Sequence, residues 1–257
     1  MKKLIILVLV AFTFESLTAQ QNINENSLFK KTDTKDSIPN IIPGMNLKTK
    51  LFPSMIIPAI LIGYGISTIK NNGIYSSYQA KVDIQKAFGR SRAPIDDYLI
   101  IAPYVEFGAL ILLKQKCKND MINTFLLIGK SEAIMLAIVF PLKYATMMER
   151  PDGSDAHSFP SGHTAEAFVA ATVVFREYRY KSPWYGIGAY TLAATVGAYR
   201  MINNKHWQSD VLVGAGIGML STNLVYATHL HRWGRMEYCV IPTFDGKNKG
   251  FVMALNF

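Results

Sequence analysis

Six apolar stretches separated by polar segments limit this chain to helices that shield nearly all of their side chains. They cover residues 51–69, which hold no charge; 98–113 with Glu106; 121–142 with Lys130 and Glu132; 164–175; 184–199; and 211–230. A helix crosses a bilayer with about 20 residues, and about 17 is the low end, so flanking residues bring most of these stretches to length. Half of the residues are hydrophobic, yet the mean hydropathy is only +0.16 because the ends around this middle are polar. The expected fold is all-α: a membrane-embedded helical bundle of five or six apolar helices. A soluble bundle with buried helices is the alternative. Charges at membrane depth face the bundle interior, so Lys130 and Glu132 are expected to pair with neighbours and carry no catalytic role.

The flanks divide the chain further. Lys2-Lys3, an apolar run and Thr18-Ala19 read as a signal peptide over 1–19. Residues 20–50, rich in Asn, Ser, Lys and Asp and interrupted by prolines, read as a flexible polar leader. The membrane domain is expected over 51–233, and the C-terminal tail, 234–257, reads as two strands around Asp245-Gly246, a short β-hairpin. Between the first two apolar stretches, the segment with Val82, Ile84, Ala87 and Phe88 reads first as a plain connector, with a short amphipathic helix on the outer surface as the alternative.

Three polar clusters punctuate the second half: Lys143 with Arg150-Pro151, then Pro160-Ser161-Gly162-His163, then Arg200, His206 and Asp210. Together they supply what a phosphate-ester hydrolase needs without a metal. Phosphoryl transfer places charge on equatorial oxygens, and catalysis is mostly clamping and positioning. Lys143, Arg150 and Arg200 are permanent cations for the clamp, arginine adding a fork that matches oxygens in pairs. Ser161 and Gly162 bring a hydroxyl and approachable N–H groups at the start of a helix, which favours anions. Of the two histidines, one can attack phosphorus and one can protonate the departing oxygen. His206 and Asp210 are spaced i, i+4, so a carboxylate could orient that imidazole. His206 is therefore the candidate nucleophile and His163 the candidate general acid. Taken singly, each residue has an ordinary reading, as a cap, a turn or a membrane-flanking charge. His157 reads as a loop residue, and His229 and His231 as interfacial.

These spacings resemble the type 2 phosphatidic acid phosphatase family, whose pattern is Lys, six residues, Arg-Pro; Pro-Ser-Gly-His; and Ser-Arg, five residues, His, three residues, Asp. The single departure is Tyr199 where the family has serine. The resemblance covers roughly residues 97–233. It implies a phosphohistidine at His206, supported by Asp210, with His163 as the acid. Lys143, Arg150, Ser161, Gly162 and Arg200 would hold the phosphate, with no cofactor.

The expected activity is a metal-independent lipid phosphate phosphatase, with lipid A or a similar phosphoglycolipid as first substrate. Undecaprenyl diphosphate, phosphatidic acid or phosphatidylglycerol phosphate are rivals, and a periplasmic acid phosphatase acting on soluble esters is the alternative. The expected partners are the lipid phosphate and the membrane. Nucleic acid is not expected, because the net charge of +9 lacks a basic helix with interleaved aromatics. Basic loops at 114–118 and 176–181 lie opposite the motif loops, so the positive-inside rule sets the motifs outside the cytoplasmic membrane. A cleaved signal reconciles with this if residues 51–69, broken by Pro53, Pro58, Gly63 and Gly65, dip and return, leaving five spans. An unexported signal gives six. Cys117 and Cys239 fall on the cytoplasmic side and are expected as free thiols. Oligomeric state is not encoded in these patterns.

Overall fold

A computed structural model describes residues 47–89, 95–229, 237–245 and 248–256. Residues 47–50, expected to end the flexible leader, instead open the first helix, while the signal peptide expected over 1–19 and residues 20–46 of the leader lie outside the described residues. Within them the chain forms α1 (Leu47–Ser67), α2 (Ser77–Phe88), α3 (Ile95–Leu99), α4 (Ala102–Leu112), α5 (Met121–Thr146), α6 (Gly162–Tyr178), α7 (Pro183–Ile202) and α8 (Gln208–Thr228). The tail forms the expected antiparallel hairpin, β1 (Glu237–Asp245) with β2 (Asn248–Asn256), in a register running from Glu237 opposite Asn256 to Asp245 opposite Asn248.

Two boundaries differ from the sequence reading. The stretch 98–113 is not one helix: α3 ends at Leu99 and α4 begins at Ala102, with Pro103 in its first turn. A proline is at home there and disfavours helical backbone in the residue before it. Conversely, α1 is one helix through Pro53 and Pro58 rather than a dip and return. Pro58 has no N–H for the carbonyl of Ser54, but Asn223 Nδ2 of α8 donates to that oxygen at 2.8 Å. The same Asn223 accepts from Arg176 of α6 through Oδ1, so one amide ties three helices.

Helix α8 is the axis of the bundle, packed on α1, α5 and α6. Its glycines decide how close these neighbours come. A Cβ at Gly214 would lie 2.5 Å from the Ser161 carbonyl oxygen, and one at Gly218 would lie 2.2 Å from that of Ala165, so this edge meets the backbone of α6. Gly216 faces α1 in the same way, 2.8 Å from the Pro58 oxygen. Small residues at i, i+4 permit such approach, in which packing and carbonyl contacts replace side-chain interdigitation. Around this axis Val169, Val213, Ile217, Met135 and Val139 fill one apolar cluster, and Tyr178, Tyr190, Ala193, Val196 and Phe107 fill another between α4, α6 and α7.

Among the described residues, α5 and α8 are long and apolar enough to cross a membrane. Lys130 and Glu132 of α5 do find neighbours: Lys130 Nζ lies 3.3 Å from His229 Nδ1, and Glu132 accepts from the Tyr104 hydroxyl. Cys117 is a free thiol with Sγ 3.2 Å from the Tyr178 hydroxyl.

Gly218→Ala is expected to cost about 2 kcal/mol or more, because its methyl meets backbone that cannot swing aside. Gly63→Ala, whose methyl meets nothing within 4 Å, should be neutral or stabilising. Thermal unfolding of the detergent-solubilised variants checks the contrast.

Candidate active site

The three polar clusters converge because each occupies a helix end on the same side of the bundle. Lys143 lies in the last turn of α5, which closes at Met147 in the left-handed region (φ 46°). Ser161 is the N-cap of α6, so Gly162 and His163 form its first turn. Arg200 lies in the last turn of α7, and Asp210 in the first turn of α8. A backbone bond joins two of these ends: the Ser161 N–H donates to the Asp210 carbonyl at 3.0 Å.

The loop between α5 and α6 builds itself from short-range bonds. Asp152 accepts from the Ser154 N–H and Asp155 from the His157 N–H, two Asx turns. The Arg150 N–H donates to the Asp155 carbonyl, and Ser158 N–H to that of Met148 closes the base. Arg150 is thereby aimed across the gap. Its Nε pairs with Asp155 at 2.7 Å, while one terminal nitrogen lies 3.2 Å from both the Lys205 carbonyl and His206 Nε2.

That contact specifies the imidazole. A guanidinium can only donate, so Nε2 of His206 presents a lone pair and Nδ1 carries the proton. Nδ1 faces Asp210 Oδ2 at 3.4 Å. Asp210 is fully buried, and its Oδ2 also takes the Trp207 N–H at 2.9 Å and the Ser158 hydroxyl. Burial of His206 disfavours its charged form; nearby Arg150 and Arg200 act the same way, and Asp210 acts in opposition, leaving the pKa lowered to about 4. The imidazole is therefore neutral near pH 7, as a nucleophile must be.

His163 shares a carboxylate partner with Arg200. Its Nε2 lies 3.3 Å from Oδ1 of Asp97, and Arg200 reaches that same oxygen at 3.0 Å. Lys143 Nζ donates to the His157 carbonyl at 2.8 Å and lies within electrostatic reach of Arg150, Arg200 and Asp210. A Cβ at Gly162 would meet only Lys143 Cε at 3.9 Å and Val139 Cγ1 at 4.0 Å, so protein packing does not demand glycine there. The eight sequence candidates thus gather at one end of α5 to α8. Arg150 reaches His206, with one terminal nitrogen 3.2 Å from Nε2. His157 is indeed a loop residue, its ring set edge-on to Tyr144 at 5.0 Å. Sequence reasoning did not single out Ser158 or Asp97. Nothing in spacing separates Ser158 from its neighbour Ser154, and Asp97 comes from another part of the chain.

Burial sets the acid limb of activity. If His206 must be neutral, turnover persists above its pKa and falls as pH drops through it, so the limb of kcat/KM, corrected for substrate ionisation, should lie near pH 4 and well below 6.5. Gly162→Ala should keep its thermal midpoint but weaken phosphate inhibition about tenfold, because the methyl points toward the space beside Lys143; inhibition titrations and melting curves check this.

Residues 139–233 match the PAP2 superfamily. A lipid A 1-phosphatase of Porphyromonas gingivalis is 49% identical over 94 residues, which are 37% of this chain and 21% of that protein, so the chain spans about a fifth of this relative's length. The crystal structure of Aquifex aeolicus LpxE aligns with 56% of this chain and 93% of that one, at 21% identity and a TM-score of 0.43. All eight candidate residues fall inside the matched segment, residues 139–233, which is similar to the PAP2 superfamily.

Proposed function

We propose that this chain is a metal-independent lipid phosphate phosphatase working through a phosphohistidine. The observation that carries the reading is the ordered line from Asp210 through His206 to the Arg150 guanidinium, which sets a neutral imidazole lone pair beside a phosphate-binding cation. In the first step, Nε2 of His206 attacks phosphorus and the P–O bond to the lipid breaks. The His163 imidazolium gives its proton to the departing oxygen. Asp210 accepts from Nδ1 and stabilises the positive charge that forms on His206. In the second step, water attacks phosphorus and loses a proton to the now neutral His163. The P–N bond then breaks with its electron pair returning to Nε2, releasing inorganic phosphate. Lys143, Arg150 and Arg200 hold the equatorial oxygens, with Gly162 leaving room and Ser161 capping the helix whose N-terminus faces them.

The membrane is the proposed medium. Helix α5 exposes Ile122, Phe125, Leu136 and Phe140, and α1 exposes Ile56, Ile60 and Ile66, apolar faces suited to lipid rather than water. With basic loops at the other end of the bundle, the site opens on the outer face of the cytoplasmic membrane. The preferred substrate is the phosphate of lipid A or a related phosphoglycolipid, supported by the similarity to a lipid A 1-phosphatase. Undecaprenyl diphosphate and phosphatidic acid or phosphatidylglycerol phosphate fit the same phosphate chemistry, and the soluble acid phosphatase reading would require an active site indifferent to the lipid.

Phosphate release from lipid A, undecaprenyl diphosphate, phosphatidic acid and an aryl phosphate, by detergent-purified protein in EDTA, tests the proposal. Lipid A should be turned over fastest, and His206→Ala should lose activity by about four orders of magnitude or more. Faster turnover of the aryl phosphate, or an active His206→Ala, would sink it.

A further inference from the structure

Helix α2 lies outside the segment matched to the superfamily, yet its inward polar groups all land on the catalytic segments. Ser77 Oγ accepts the Ser209 N–H at 3.1 Å, next to Asp210. Gln85 Nε2 donates to the Ile202 carbonyl at 3.0 Å, two residues beyond Arg200. Tyr78 stands edge-on to Trp207, the residue after His206, with ring centroids 4.9 Å apart. The helix is itself well anchored. Ser76 and Gln79 form a reciprocal capping box at its start, and Ala80 and Ile84 are buried beneath it.

One side chain of α2 touches two motifs at once. Lys81 Nζ donates to the Pro151 carbonyl at 2.7 Å and stands 5.0 Å from the centroid of the Trp207 ring. It therefore bridges the residue after Arg150 to the residue after His206, the two groups whose alignment the mechanism uses. We infer that Lys81 is a positioning residue for phosphoryl transfer, pinning the Arg150 turn against the His206 loop so that guanidinium and imidazole meet the same phosphorus. It acts through backbone and ring, without touching substrate. A misplacement of about 1 Å in such a pair costs about 100-fold in rate. Two further ties span the same gap, Lys205 to Asp152 at 2.7 Å and Trp207 Nε1 to the Glu149 carbonyl at 2.8 Å. Loss of Lys81 thus loosens the alignment without opening the fold.

The inference rests on the phosphohistidine reading, and the wild-type protein separates the two. If wild-type protein does not release phosphate, that reading fails; if it does, the Lys81 variants judge this one. Lys81→Ala should lower kcat about 10- to 100-fold on lipid and aryl phosphates alike, with KM changed less than about threefold and an unaltered thermal midpoint. Lys81→Arg keeps both the donor and the cation, and should recover kcat to within about threefold of wild type. Should Lys81→Ala melt early, Lys81→Met, which retains the stem over Trp207 but not the donor, replaces it in the comparison. An unchanged kcat, or an arginine variant no better than alanine, overturns the inference. So does a raised KM at constant kcat, which would make Lys81 a substrate contact.

Discussion

Everything at the candidate-site end of the bundle depends on how closely α6 and α8 approach. Gly214 and Gly218 let the backbones touch, and the Ser161 N–H then reaches the Asp210 carbonyl, fixing one helix start against the other. Because His163 lies two residues beyond Ser161, and His206 lies one turn before Asp210, this single register sets the separation of the two histidines. Side-chain packing could not hold it as tightly, since rotamers relax and carbonyl contacts do not. The price falls on sequence freedom: the facing positions admit nothing larger than hydrogen.

Helix ends help to offset the desolvation of the charged groups gathered at the candidate site, where Asp210 and Arg200 are buried. Lys143 and Arg200 lie in last turns, where cations complement the negative helix terminus, and Asp210 lies in a first turn, where an anion does the same. The loops between them are held by Asx turns and by Lys205 and Trp207 bonded to the opposite segment, so the ionic groups are arranged before any ligand arrives. Such preorganisation is what electrostatic catalysis draws on.

Much of this was legible in the residues. The spacing of Lys143, Arg150, Ser161, Gly162, His163, Arg200, His206 and Asp210 identified the candidate site because each cluster marks a helix end, and helix ends at one side of a bundle meet. The apolar stretches gave the helices, with errors where proline was judged alone: Pro58 breaks nothing when Asn223 takes up the orphaned Ser54 carbonyl, a partner 169 residues away. Pro103 divides its stretch because a helix start suits it. Ser158, Asp97 and Lys81 escaped because their meaning is tertiary. Their types are unremarkable, and only the fold brings them to Asp210, to the His163–Arg200 pair and to the Pro151–Trp207 gap.

The shared oxygen of Asp97 gives the resting site a nearly closed charge account. Lys143, Arg150 and Arg200 are matched in number by the carboxylates of Asp210, Asp155 and Asp97. A monovalent anion reaching Arg150 or Arg200 meets a tethered carboxylate of equal charge, Asp155 or Asp97. A phosphate dianion brings twice that charge. For the proposed phosphate substrate, valence rather than mere negativity then becomes the condition of entry.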